Sequence, residues 1–110
     1  MSKNDKPVVI YTTCPTLATA EEIGAKLVES GLAACVNLLP GMISIYSWQG
    51  QSQRDEELVM IVKTTEAVAE RAIETINELH PYDVPAALVL PASGGSAAFM
   101  SWISEQTATN

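Results

Sequence analysis

Residues 32–63 read LAACVNLLPGMISIYSWQGQSQRDEELVMIVK, and this stretch decides the fold. Leu32 to Leu39 predicts a strand, Pro40-Gly41 a bend or bulge in it, and Met42 to Trp48 its resumption. Ile43 and Ile45 point one way while Met42, Tyr46 and Trp48 point the other, so both faces are apolar, as in a strand covered on both sides. Gln49-Gly50-Gln51 predicts a turn, and Glu56 to Lys63 returns as a strand in which Leu58, Met60 and Val62 oppose Val59 and Ile61. Together the two strands make a long hairpin whose ends overhang a small sheet. An overhanging edge needs a partner.

Outward from the hairpin, the flanks repeat a strand–helix plan. Pro7 to Cys14 is rich in β-branched residues and stops at Pro15, which predicts a buried strand. Thr19 and Glu22 have capping-box spacing, and Thr16 is an alternative cap one turn earlier. Ala20, Ile23, Gly24, Leu27 and Val28 form one apolar helical stripe, with Gly31 placed to end the helix. Thr65-Glu66 opens a second helix with Ala69, Ala72, Ile73, Ile76 and Leu79 on its buried side, and His80-Pro81 halts it. Pro85 to Leu90 predicts a fourth strand, and Ser96 to Ser104 a short helix anchored by Phe99, Trp102 and Ile103. The order β-α-β-β-α-β plus a terminal helix is that of an α+β ferredoxin-like sandwich with an extended hairpin. Residues 1–110 fit one domain, with 1–6 and 105–110 as flexible ends.

Composition narrows the function classes. Six Lys+Arg against thirteen Asp+Glu give a net charge of -7, which argues against a phosphate-binding surface and hence against nucleic acid as a partner. Hydrophobic residues reach 47% and charged residues only 17%, below the roughly 25% of ordinary soluble domains. No charge occurs from Ser30 to Gln53 or from Val84 to Ser104, yet proline and glycine break both tracts, so neither is a membrane span. Met1 to Lys6 lacks the apolar core of a signal peptide, so a cytoplasmic location is expected. So much apolar content in so small a domain implies an obligate oligomer; two ordinary buried strands beside small-residue loops are the alternative.

Chemistry-bearing residues are few. Cys14 and Cys35 are the only cysteines, and no zinc-site spacing occurs, so a metal would borrow ligands from carboxylates, water or another subunit. His80, the single histidine, suits either a C-cap, where it would meet the last helical carbonyls, or a metal ligand. Tyr82 and Asp83 follow it in a segment stiffened by Pro81 and Pro85. Cys35 fits either core or ligand, and Cys14 sits at a strand end where a thiol could be reached. Lys63 pairs with a carboxylate or faces an anionic ligand. Glu56 and Glu57 point to opposite faces, so neither chelates with the other, though either could do so with a residue of another subunit. Nucleophile-elbow, phosphate-loop and H-E-x-x-H signatures are missing.

Ala33-Ala-Cys-Val-Asn-Leu-Leu-Pro40, Ser44-Ile-Tyr-Ser-Trp48, Ile61-Val-Lys-Thr64, His80-Pro-Tyr-Asp-Val-Pro85 and Trp102 occur in an order that resembles the CutA family of divalent-cation tolerance proteins. The resemblance implies a homotrimer similar in plan to PII signalling proteins, a link to copper or another divalent cation, no enzymatic reaction and no organic cofactor. It implies metal-related roles for His80, Cys35 and, as a partial substitute for a first-strand cysteine, Cys14. It places Tyr46, Trp48, Lys63, Tyr82 and Trp102 near intersubunit clefts, where Glu57 and Asp83 join them. Thr12, Leu79, Ala86 and Phe99 depart from the family pattern and remove donors. Two rival expectations stand beside metal binding: a PII-like sensor whose clefts, lined by Lys63, Trp48 and Tyr82, take a small anionic ligand, and a trimeric platform for a protein partner.

Overall fold

The computed structural model describes residues 6–107. Its elements run β1 (Pro7–Cys14), α1 (Leu17–Glu29), β2 (Cys35–Trp48), β3 (Gln51–Thr65), α2 (Glu66–Leu79), β4 (Ala87–Pro91) and α3 (Ala97–Gln106). The four strands form one antiparallel sheet in the order β2-β3-β1-β4, the ferredoxin-like arrangement expected from the element order.

Strand alternation sorts the side chains cleanly. Ile10, Leu58, Met60 and Val62 fall on the face packed against Ile23 and Leu27 of α1 and Val68, Ala72 and Ile76 of α2. The opposite face carries Tyr11, Ile61 and Lys63, and α1 and α2 leave it uncovered. Leu88 and Leu90 of β4 lie on that face and are 62% and 50% exposed. The apolar surplus of the composition is therefore concentrated here and on the hairpin, where Ile45 is 76% and Trp48 53% exposed.

The bulge at Pro40-Gly41 has a geometric consequence. Leu39 pairs with Val59 but Met42 pairs with Glu57, so β2 spends one extra residue there. Before the bulge the odd residues Cys35, Asn37 and Leu39 share the Lys63 face; after it the even residues Met42, Ser44, Tyr46 and Trp48 do. The uncovered face thus continues without interruption along the whole hairpin, which stretches the molecule to 47 × 25 × 22 Å.

Several element ends differ from the sequence reading. Of the two caps that the sequence offers for α1, Thr16 serves, accepting from the Thr19 amide at 3.2 Å. Gly31 ends that helix at φ 72°, with Leu32 N–H on the Leu27 carbonyl and Gly31 N–H on that of Val28, a Schellman motif. This turn claims the backbone of Leu32 and Ala33, so β2 starts at Cys35 rather than Leu32. Val28 is exposed rather than part of the buried stripe. β3 begins at Gln51 rather than Glu56, because β2 supplies main-chain partners to residues with no apolar alternation of their own. β4 spans Ala87–Pro91 rather than 85–90. Most of the ends expected to be flexible lie outside the described residues; of the rest, Glu105 and Gln106 finish α3, and Thr107 is buried with its hydroxyl 3.2 Å from that of Thr65. Thr65 occupies the N-cap position of α2 without making a side-chain cap bond.

Candidate functional site

Between the hairpin and the segment following α2 lies an open groove of about 850 Å³. β2 contributes Met42, Tyr46 and Trp48, β3 contributes Glu57, and the segment after His80 contributes Tyr82 and Asp83. Five of the residues expected near clefts therefore meet within one chain: Tyr46, Trp48, Glu57, Tyr82 and Asp83. Hydrogen bonds fix two of the rings. Tyr82 donates its hydroxyl to Glu57 Oε2 at 3.1 Å, and Tyr46 donates to Asp55 Oδ2. Burial, then the Glu57 bond, push the Tyr82 phenol up to about 12; the Asp55 bond raises that of Tyr46.

Lys63 and Trp102 lie elsewhere in the chain. Lys63 stands opposite Cys35, six residues beyond Glu57 along β3, or about 20 Å at roughly 3.4 Å per residue. Its Nζ sits 5.4 Å from the Phe99 ring centroid, and Phe99 stacks on Trp102 at 5.7 Å. Among the described residues Lys63 therefore meets the Phe99 ring rather than a carboxylate, and it does not stand beside Trp48 and Tyr82 within this chain.

His80 is buried and fully engaged. Its Nε2 lies 2.7 Å from the Thr13 carbonyl, which can only accept, so Nε2 carries the proton. Nδ1 then accepts the Tyr82 amide at 3.1 Å. The ring is a neutral Nε2–H tautomer with no lone pair left for a metal. The main-chain N–H of His80, not its imidazole, caps α2 by reaching the Ile76 carbonyl at 2.9 Å, so the side chain does not meet the last helical carbonyls as a C-cap would.

The cysteines do not join it. Cys14 is fully buried, with its thiol 3.1 Å from Met60 Sδ; burial, with the Glu57 charge second, pushes that thiol up to about 11. The expectation of a reachable Cys14 is corrected: the α-helices cover its face of the strand. Cys35 is half-buried on the opposite face, and its register partner is five residues along β3 from that of Cys14. Among the described residues, no three His, Cys, Asp or Glu side chains are grouped to hold a metal ion. The donors implied for copper therefore do not fit a site within one chain. Glu56 and Glu57 do face opposite ways, pairing with Ile43 and Met42 respectively.

Two contributors escaped the sequence reading. Asp55 becomes visible as the Tyr46 partner only once the hairpin register is known, and the Thr13 carbonyl carries no side-chain signal at all.

The sheet order, the overhanging hairpin and the groove beneath it define a ferredoxin-like protein with an elongated β2–β3 arm. The model of the CutA1 divalent ion tolerance protein family matches residues 8–106, and the chain belongs to that family. The divalent-cation tolerance protein CutA of Thermus thermophilus is 42% identical over 99 residues, covering 90% of this chain and 96% of its own. The chloroplastic CutA of Arabidopsis thaliana is 38% identical over 106 residues, covering 96% of this chain, which spans only 58% of that protein's length. The crystal structure of CutA1 from Oryza sativa superposes with a TM-score of 0.92 at 33% identity, over 99% of this chain and 100% of that one. Among the described residues no helix is long and apolar enough to cross a membrane.

Proposed function

We propose that this protein acts in divalent-cation tolerance as a non-enzymatic cytoplasmic homotrimer, in which neighbouring copies cover the uncovered sheet face and the hairpin. One observation carries the reading: exposed apolar side chains recur along a single face, from Leu88 and Leu90 of β4 to Leu39, Tyr46 and Trp48 of β2, kept on that face by the Pro40-Gly41 bulge although Glu57 and Asp55 interleave with them. A solvated monomer has no use for such a surface, whereas a second copy removes it from water. The family relation supports the role in cation tolerance. Direct contact with copper or another divalent cation belongs to subunit boundaries in this reading, because among the described residues of one chain no three such donors converge. Cys35, half-buried on the face to be covered, is the donor such a boundary would use.

Light scattering coupled to size exclusion, followed by calorimetry with Cu(II) and zinc, tests both parts. A mass of three chains and cation binding weakened by Cys35→Ser but retained by His80→Gln are expected. A stable single chain removes the trimer, and binding indifferent to Cys35→Ser removes the boundary site.

A further inference from the structure

The groove under the hairpin has a one-sided chemistry. Tyr11, Tyr46, Trp48 and Tyr82 bring four aromatic rings to it, Glu57 and Asp83 supply carboxylates, and among the described residues no lysine or arginine lines it. The Tyr46 and Tyr82 phenols donate their protons to carboxylates, which fixes these two rings and enriches their oxygens in electron density. An aromatic face attracts a cation through its quadrupole, and a nearby carboxylate adds to that attraction. Beside the Thr13 and Ser44 hydroxyl residues, Met42, Ile43, Ile45 and Val84 make most of the remaining wall apolar, which disfavours a strongly hydrated metal ion and suits a weakly hydrated organic one. The volume of about 850 Å³ lies within the roughly 300–1,000 Å³ of small-molecule sites. An anionic ligand finds the wrong sign here, since Lys63 lies at the far end of β3 over Phe99.

We propose that this groove binds a small organic ammonium ion, recognised by the ring faces of Tyr46, Trp48 and Tyr82 and by the Glu57 carboxylate. The proposal rests on the trimer reading only for the groove's outer wall, which a neighbouring copy would close. His80 serves as a positioning residue, holding the Tyr82 amide while Thr13 anchors the ring.

Trp102→Phe leaves Trp48 as the only indole, and its N–H resonance in a nitrogen-15 NMR spectrum reports on the groove. Titration with tetramethylammonium chloride at constant ionic strength should move this resonance saturably, while tert-butanol, neutral and of similar size, should move it little. Glu57→Gln should weaken the tetramethylammonium response by roughly five-fold. Asp83→Asn, at an exposed position, repeats the comparison in a variant whose folding needs no buried contact and should weaken the response in the same direction. An equal response to tert-butanol, or a response unchanged in both variants, overturns the proposal. Light scattering on the same samples separates the two readings: single-chain mass with saturable cation binding removes the trimer alone, and a trimer without a response removes the groove site alone.

Discussion

His80 donates its Nε2 proton to the main-chain carbonyl of Thr13 at 2.7 Å, tying the end of α2 to β1 beneath the groove. Both residues are buried, so water cannot replace the bond. His80→Ala should lower stability by about 1–3 kcal/mol, because it leaves that carbonyl unpaired and frees the Tyr82 amide. His80→Gln offers an amide that can both donate and accept, and should recover part of the loss. Urea unfolding at one fixed chain concentration is the measurement, since an oligomer's stability depends on concentration. Equal midpoints for wild type and His80→Ala would show that the bond contributes nothing.

Local signals were legible and long-range ones were not. Gly31, Pro40-Gly41 and His80-Pro81 each act through their own backbone, and each ends or bends its element where the sequence placed it. Leu32 and Ala33 look like strand residues, but the end of α1 takes their amides. Gln51 to Asp55 look like a loop, but β2 lends them a ladder. For the site, the residues of the hairpin and the segment after His80 meet within one chain, whereas Lys63 stands six residues along β3 from Glu57, over Phe99, which stacks on Trp102 of α3. Nothing in a sequence marks a histidine whose partners are both main-chain atoms.

Tyr82 gives the protein an alkaline sensitivity. Its phenol is raised in the fold, by burial first and the Glu57 bond second, to about 12 from an unfolded value of about 10. Between those values the folded chain holds a proton that the unfolded chain has lost, so stability falls as pH rises through this window. Below pH 10 the contribution is fully present. Thermal unfolding of wild type should therefore decline more steeply between pH 10 and 12 than that of Tyr82→Phe; parallel curves would refute it.

Thr12 places a hydroxyl in the core where a methyl would serve better. Its Oγ1 is buried with no hydrogen-bond partner among the described residues, on the face packed by the helices. Thr12→Val keeps the shape and removes the unpaired group, and should stabilise the protein by about 1 kcal/mol. Because this face points away from the proposed subunit contacts, the oligomer mass should stay the same. A destabilised variant, measured by the same urea midpoint, would mean the hydroxyl has a partner.

The hairpin turn concentrates strain at one residue. Trp48 pairs with Gln51, leaving Gln49 and Gly50 as a two-residue loop at φ 50° and 78°. Positive φ at both central positions is the pattern of a type I′ turn, whose twist matches the strands it joins. Glycine accepts that conformation freely; among the described residues Gln49 is the only non-glycine residue to adopt it. Gln49→Asn, the residue best suited to that position beside glycine, should strengthen the turn by about 0.5–1 kcal/mol, and Gly50→Val should weaken it by about 1–2 kcal/mol. The arm overhangs the sheet, so its tip opens locally before the core does, and a global unfolding curve would register little of either change. Amide exchange at Ser47 to Ser52 reads the tip directly: slower in Gln49→Asn, faster in Gly50→Val, and unaltered around Ile10 and Met60. If Gln49→Asn exchanged as wild type does, the conformation at Gln49 would be costing the hairpin nothing.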